Sequence, residues 1–276
     1  MPLRPAAASG RPAGRRSGLV PPPAGTCVGR PRIGWRRTWG ERSPPVILHP
    51  LRLGTVRGEG LPITAVLIRH PSGKNVLVDT GAPIEFAGDP EAPFEVGPDE
   101  HVLARLDQLG LSADDVHHVI ATHLDPDHAG ALDRFPNAEI VVQRRELEAA
   151  RTSGALRYEW QRAHWDSEAL HYRAVDGGTT LLDGVELVDS SGHSAGHQSV
   201  LVRLPRTGPV LIAGDAIPTA EVCDPAARPS SGHDHDVEAA RQSTRELMRL
   251  VAEQGIARIL HSHDAEQWRD LRASYD

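Results

Sequence analysis

Four side chains able to bind a metal ion fall within six residues at His123-Leu124-Asp125-Pro126-Asp127-His128. They directly follow the apolar run of residues 116–122, which reads as a buried strand. A strand that stops and delivers two imidazoles and two carboxylates into a tight loop sets them at the edge of a sheet, where substrate can reach a bound ion. The arrangement recurs three times. Residues 185–189 run into Ser190-Ser191-Gly192-His193-Ser194-Ala195-Gly196-His197, residues 210–213 end in Gly214-Asp215, and residues 256–260 deliver His261-Ser262-His263-Asp264. Four strand ends thus offer His123, Asp125, Asp127, His128, His193, Asp215 and either His261 or His263. That is more than one tetrahedral ion takes. The set suits two divalent ions sharing a carboxylate, a pair that makes a nucleophile of water and polarises the bond under attack.

The elements that must position these residues follow from periodicity and punctuation. Residues 46–53, 61–68 and 75–79 are strand-like and form an antiparallel meander, the last two joined by the turn His70-Pro71-Ser72-Gly73. The meander closes on Asp79-Thr80-Gly81, where Asp79 taken alone reads as a turn or cap residue. Val102, Leu103, Leu106 and Leu109 have helical spacing that Gly110 terminates. Ser112 caps a short helical turn before the strand at 116–122. His117 and His118 point to opposite faces there and lie away from the strand end. Residues 139–142 form another strand and 144–152 a helix. Asp183-Gly184 marks a hairpin between 179–182 and 185–189, further strands span 199–204 and 210–213, and a helix covers about 236–253. The insert at 154–172 holds Tyr158, Trp160, Trp165 and Tyr172 in a chain poor in aromatics, either as a wall over the site or as a helix packed on the core.

Composition narrows the function classes. At 276 residues the chain can bury a sizeable core. No apolar run approaches the ~20 residues of a membrane span, so no membrane partner is expected. Residues 1–45 carry nine arginines against Glu41 alone, a charge of +8, which leaves −15 of the overall −7 for the remainder. That acidic body disfavours nucleic acid and points to a small-molecule substrate. Residues 1–45, rich in Pro, Gly, Ala and Arg without apolar period, are expected to be disordered. Cys27 falls in that tail and Cys223 stands alone in the body, which argues against a disulfide framework and fits the cytoplasm. The sequence leaves oligomeric state unknown.

The series His123-x-Asp125-x-Asp127-His128, His193, Asp215 and His263 resembles the ligand series of the metallo-β-lactamase superfamily, and the likeness covers residues 46–276. Within it, Val78-Asp79-Thr80-Gly81, Thr122-His123 through His128-Ala129-Gly130, Gly192-His193 through Gln198-Ser199, Gly214-Asp215-Ala216 and His263-Asp264 are most similar to the N-acyl homoserine lactonases. The resemblance implies an α+β fold, an αββα sandwich of two mixed sheets flanked by helices, with the metals at the sheet edge. It implies a hydrolase that opens a lactone or related carboxylic ester with two divalent metal ions. One ion would take His123, Asp125 and His193, the other Asp127, His128 and His263, with Asp215 bridging. Asp127 would also be catalytic, protonating the leaving group; His197 would bond backbone, and His261 would be outside the ligand set. Two residues depart from the pattern. Asp125 stands where most members carry His, adding a negative charge that lowers Lewis acidity and admits manganese or iron beside zinc. Pro218 stands where lactonases carry a Tyr that bonds the lactone carbonyl, and Tyr158 or Tyr172 replaces it only if the insert folds over the site. Two alternatives are a thioester hydrolase of the hydroxyacylglutathione type, whose further C-terminal domain has no room in the thirteen residues after His263, and a non-catalytic metal-binding module.

Overall fold

The computed structural model describes residues 45–229 and 233–276, so the expected disorder of the tail falls, but for its last residue, outside the described residues. Strands β1 (Ile47–Val56), β2 (Pro62–Arg69) and β3 (Asn75–Val78) form the expected antiparallel meander, and β4 (Phe94–Glu95) pairs with the free edge of β1. Beyond β3 the same sheet continues in parallel through β5 (His118–Ile120), β6 (Glu139–Gln143) and β7 (His171–Val175), giving the order β4-β1-β2-β3-β5-β6-β7. The second sheet comprises β8 (Thr179–Leu182), β9 (Val185–Asp189), β10 (Gln198–Leu204), β11 (Gly208–Gly214) and β12 (Arg258–His261) in the order β12-β11-β10-β9-β8. Its β11–β12 pair is parallel and the others antiparallel, so both sheets are mixed.

Alternation along the strands sorts the apolar residues into three layers. From β2, Ile63, Ala65 and Leu67 point outward, where α1 (Val102–Gln108), α2 (Pro126–Ala129), α3 (Arg144–Thr152), α4 (Leu156–Glu159) and α5 (Arg162–Trp165) add Leu106, Ala129, Leu147, Tyr158 and Trp165. Val66 and Ile68 point the other way and meet Val200, Val202 and Ile212 of the second sheet. Leu201 and Leu211, on the far face of that sheet, pack against Leu247 and Val251 of α6 (Val237–Gln254). The last helix, α7 (Ala265–Asp270), sends Trp268 into the middle layer. Helix, sheet, sheet, helix is the sandwich that the resemblance implies, and central strands buried on both faces explain why their sequences are nearly continuous apolar runs.

The strand expected over 116–122 is shorter, and its early end has a structural reason. At Ala121 and Thr122 the chain turns its carbonyls toward the second sheet, where the Gln198 side-chain amide donates to Ala121 O at 2.8 Å and the Gln198 backbone N–H donates to Thr122 O at 2.9 Å. Gln143 donates to the Gln198 side chain at 2.9 Å and closes the seam. The two sheets are therefore hydrogen-bonded to each other at the end where the histidine loops emerge. The insert divides its aromatics: Tyr158 and Trp165 are buried in the outer layer, while Trp160 is half exposed and stacks on Phe86 with its centroid 5.7 Å away. Cys223, expected to stand alone, is disulfide-bonded, and its partner lies outside the described residues; the cysteines thus no longer argue for a reducing compartment. Among the described residues no helix is long and apolar enough to cross a membrane.

Gly192, one residue before His193, has φ +132°, and a Cβ there would lie 2.1 Å from the Ala240 nitrogen and 2.4 Å from its Cα, in the first turn of α6. Backbone cannot yield as a side chain can. Gly192→Ala is therefore expected to destabilise the protein by about 3 kcal/mol or more, combining overlap with an unfavourable backbone angle, as measured by denaturant unfolding; an unchanged midpoint would show that α6 shifts without cost.

Candidate metal centre

Five loops at one edge of the sandwich meet at the histidines. After β3, Asp79 adopts a left-handed φ of +61°, and Gly81 pairs with Ala129 as an isolated bridge while Thr80 N–H donates to His128 O at 2.7 Å. The β3 and β5 loops are thereby zipped together. A left-handed aspartate is uncommon but tolerated, and here both carboxylate oxygens are committed: Oδ1 accepts from Thr122 N–H at 2.8 Å, and Oδ2 accepts from Thr122 Oγ1 at 2.9 Å and lies 2.8 Å from His128 Nδ1. The reading of Asp79 as a plain turn residue is thus incomplete. A second buried carboxylate, Glu146 on α3, accepts from Leu124 N–H and Tyr158 Oη on one oxygen and from Ser194 Oγ and Gly196 N–H on the other, at 2.7 to 3.2 Å. It ties the His123 loop to the His193 loop.

Each of the four site imidazoles uses Nδ1 outward and Nε2 inward. Nδ1 of His123 meets Thr122 Oγ1 at 2.9 Å, that of His128 meets Asp79, that of His193 meets Asp234 Oδ1 at 3.0 Å, and that of His263 meets Pro62 O at 2.9 Å. Fixing one ring nitrogen in this way sets the ring plane and leaves the other free to bind. Asp215 stands in the middle. Its Oδ2 lies 3.3 Å from His193 Nε2 and 4.0 Å from His123 Nε2, and its Oδ1 lies 3.3 Å from both His128 Nε2 and His263 Nε2. Asp125 Oδ2 is 3.2 Å from His193 Nε2 and 3.4 Å from His123 Nε2; Asp127 Oδ2 is 3.6 Å from the Nε2 atoms of His128 and His263. Donors about 2.1 Å from one tetrahedral ion stand roughly 3.4 Å apart, so these separations suit a shared ion. Three donor groups result, His123-Asp125-His193, His123-His128-Asp215 and Asp127-His128-His263. His123 Nε2 and His128 Nε2 are buried without a hydrogen-bond partner, an arrangement costly for a polar atom unless something else binds it. All seven residues expected at the site therefore meet there, and the choice left open between His261 and His263 resolves to His263.

The other sequence-marked residues lie around this centre. His197 Nε2 accepts from Asp215 N–H at 3.0 Å, and burial with the neighbouring imidazoles holds its ring well below the usual histidine range, as that acceptor role requires. His261 is buried on Ile217 O at 2.8 Å, outside the three groups. Tyr158 Oη goes to Glu146 and Tyr172 Oη to Trp165 O, so neither hydroxyl fills the place of the missing tyrosine at Pro218. His117 Nδ1 accepts from Asn75 N–H, and His118 pairs with Glu139 at 3.3 Å, both away from the centre. Three groups had no expectation attached. Arg228, buried, forks onto Asp234 at 2.6 and 2.7 Å and also donates to Asp215 O and Ala216 O. Ser262 Oγ donates to Asp215 Oδ1 at 2.6 Å. Arg157, from the insert, forks onto Asp125. Asp234 lies between His233 and His235, so histidines mark its neighbourhood in the sequence, whereas Arg157 carries no sequence signal.

Burial disfavours charge on Asp215, Asp125, Asp234, His193, His128 and His263, yet these groups favour one another's charged forms. Desolvation would raise Asp215 and Asp125, but His263, His128 and His193 around the first, and His123, His193 and Arg157 around the second, keep both well below the ordinary carboxylate range. Against the same desolvation Asp215, Asp125 and Asp234 raise His193 to about 9, and Asp215 with Asp127 raises His128 and His263. Arg228 and His193 bring Asp234 down to about 2.

Residues 58–270 match the family model described as the metallo-beta-lactamase superfamily. The chain is similar to the N-acyl homoserine lactonase AttM of Azorhizobium caulinodans, 34% identical over 247 residues that cover 82% of this chain and 91% of that protein. It is similar to the N-acyl homoserine lactonase AiiA of Bacillus thuringiensis subsp. kurstaki, 32% identical with coverage of 77% and 85%. A solved N-acyl homoserine lactone hydrolase, with the product N-hexanoyl-L-homoserine bound at its catalytic metal centre, superposes with a TM-score of 0.72 at 27% identity, covering 82% of this chain and 96% of that one.

The metal-free protein should lose stability as pH rises from 6.5 to 10. His193 goes from 6.5 to about 9 on folding, so its contribution is complete below 6.5 and disappears through 9; Asp234, lowered from 3.8 to about 2, contributes above 3.8 throughout that window. His193 alone accounts for a loss on the order of 3 kcal/mol, to which His128 and His263, raised in the same way, add, and thermal melts in chelator at pH 6 and pH 10 read it. Equal melting temperatures would mean that His193 is neutral at both.

Proposed function

The chain belongs to the metallo-β-lactamase superfamily and is a metal-dependent hydrolase, and from that premise we propose that it opens lactones, N-acyl homoserine lactones foremost. The observation that carries this reading is Asp215, each of whose oxygens faces its own pair of imidazoles. In our reading His123, Asp125 and His193 would hold one divalent ion, Asp127, His128 and His263 a second, and Asp215 both. Bound there, two such ions would supply Lewis acidity, activating water and polarising the ester carbonyl. We propose zinc, with manganese or iron competitive where Asp125 contributes a hard oxygen.

The protein's own residues supply the rest. Water adds to the carbonyl carbon, the ring C–O bond breaks, and the electron pair leaves on the ring oxygen as an alkoxide. Asp127, partly exposed beside His128 and His263, is the group placed to hold a proton and pass it to that oxygen. The proton that Asp127 passes on is one the attacking water gives up, and the water's other proton leaves the new carboxyl group for solvent, so the products are a free carboxylate and a hydroxyl in one open chain. Pro218 offers no side-chain donor to the developing oxyanion; its carbonyl instead accepts from His263 N–H at 2.9 Å and positions that imidazole. A missing donor of this kind slows turnover by roughly 2.7 to 4 kcal/mol where nothing compensates.

Elemental analysis of purified protein is expected to find about two transition-metal ions per chain, and a chelator to abolish activity; saturation at one ion would defeat the dinuclear reading. Proton release from a panel of lactones, esters and thioesters tests the substrate class. Lactones should be hydrolysed, and Asp127→Asn at equal metal content should lower kcat by about 100-fold or more. Turnover of thioesters but of no lactone would remove the lactonase assignment, and an unimpaired Asp127→Asn enzyme would remove Asp127 from proton transfer.

A further inference from the structure

Arg157 lies in α4, in the insert between α3 and β7. Its Nε donates to Asp125 Oδ1 at 2.6 Å, its Nη1 to His193 O at 3.0 Å and His233 O at 3.2 Å, and its Nη2 to Asp125 Oδ2. The same Nη2 stands 2.9 Å from His193 Nε2. Asp125 Oδ2 and His193 Nε2 are themselves only 3.2 Å apart and belong to one candidate donor group. An ion bonded to His193 Nε2 at about 2.1 Å could lie no farther than about 5 Å from Nη2 by the triangle rule. A guanidinium is always charged. It therefore opposes a divalent ion at that position through repulsion in a buried setting, through its bond to Asp125 Oδ2, and by occupying the space beside His193 Nε2.

We propose that Arg157 is a resident cation that competes for the first metal position, so that the two ions of the centre bind with unequal affinity, the one held by Asp127, His128 and His263 ahead of the one held by His123, Asp125 and His193. This rests on the ligand reading given above. Asp125 brings a negative charge where a neutral imidazole would serve, and Arg157 takes up that charge. The four anchoring bonds from Nε, Nη1 and Nη2 keep the guanidinium from leaving freely. Among the described residues nothing comparable faces the second group: the cations within reach of Asp127 are His128 and His263, both candidate ligands. Filling the first position then requires Nη2 to give up its place beside His193.

Zinc titrations of the full chain against a competing chelator at fixed pH decide the matter. Wild type should show two affinities at least about tenfold apart, and Arg157→Met should tighten the weaker by about tenfold or more while leaving the stronger unchanged, the scale of one charge-assisted hydrogen bond. Arg157→Gln, which keeps a neutral polar head of similar reach, should move the weaker affinity in the same direction and serves if the Met variant does not fold. Two equal affinities in wild type, or a weaker site that neither substitution tightens, would overturn the competition while leaving the dinuclear ligand set intact. A single ion in wild type and variants alike would overturn both.

Discussion

Asp215 is one carboxylate with two oxygens, each facing its own pair of imidazoles, and the surrounding structure holds it in that orientation. It follows Gly214, whose φ of +55° ends β11, at a point where the β11–β12 register shifts. A side chain at Gly214 would meet His197 Nε2 at 2.7 Å, so the imidazole that accepts from Asp215 N–H can approach only because the glycine is bare. Ser262 holds one carboxylate oxygen and Arg228 holds the backbone carbonyl. The parallel β11–β12 pair brings His263 and Asp215 to the same edge, and the Gln198 seam keeps that edge registered with the His123 loop of the other sheet.

Such a concentration of buried charge is unstable unless each group has a partner, because desolvation of an unpaired ion costs several kcal/mol. The protein meets this with layers of fixed hydrogen bonds. Asp79 serves Thr122 and His128, Asp234 serves His193 and is itself held by Arg228, and Glu146 accepts four donors from three segments. Each outer carboxylate fixes an imidazole or a loop, and each is satisfied by an amide, a hydroxyl or an arginine. Asp125 is the exception in kind. Its partner Arg157 comes from the insert between α3 and β7 and bonds the carboxylate itself, so the charge of that donor group is set by a segment outside the sheets.

What the sequence disclosed and what it hid divide along the same line. The candidate metal donors are legible because each lies at or just beyond the end of an apolar run, with Asp125, Asp127, His193 and Asp215 next to proline or glycine, and strand signals survive in sequence. The layers come from the resemblance, because central strands that read as nearly continuous apolar runs do not show which face each side chain takes. Asp79 is misread in isolation because a carboxylate before Thr-Gly serves most often as a cap; its role emerges only when β3 and β5 become neighbours in a parallel pair. Arg157 is hidden altogether, since 32 residues separate it from Asp125 and nothing in the local pattern of the insert points its side chain at the site. The shortness of β5 was hidden too, because apolar residues at 119–121 satisfy a strand whether their carbonyls bond within the sheet or across to Gln198.

The insert has two faces. Arg157 and Tyr158 of α4 turn inward, onto Asp125 and Glu146, while their neighbour Leu156 is 83% exposed and Trp160 is half exposed against Phe86 and Phe94. Withdrawing the guanidinium breaks its bonds to Asp125 and to the His193 and His233 carbonyls, but it needs only rotation about side-chain bonds and no movement of the helix. One short segment thus supplies both the cation at the first donor group and an exposed apolar surface, and the two can change separately.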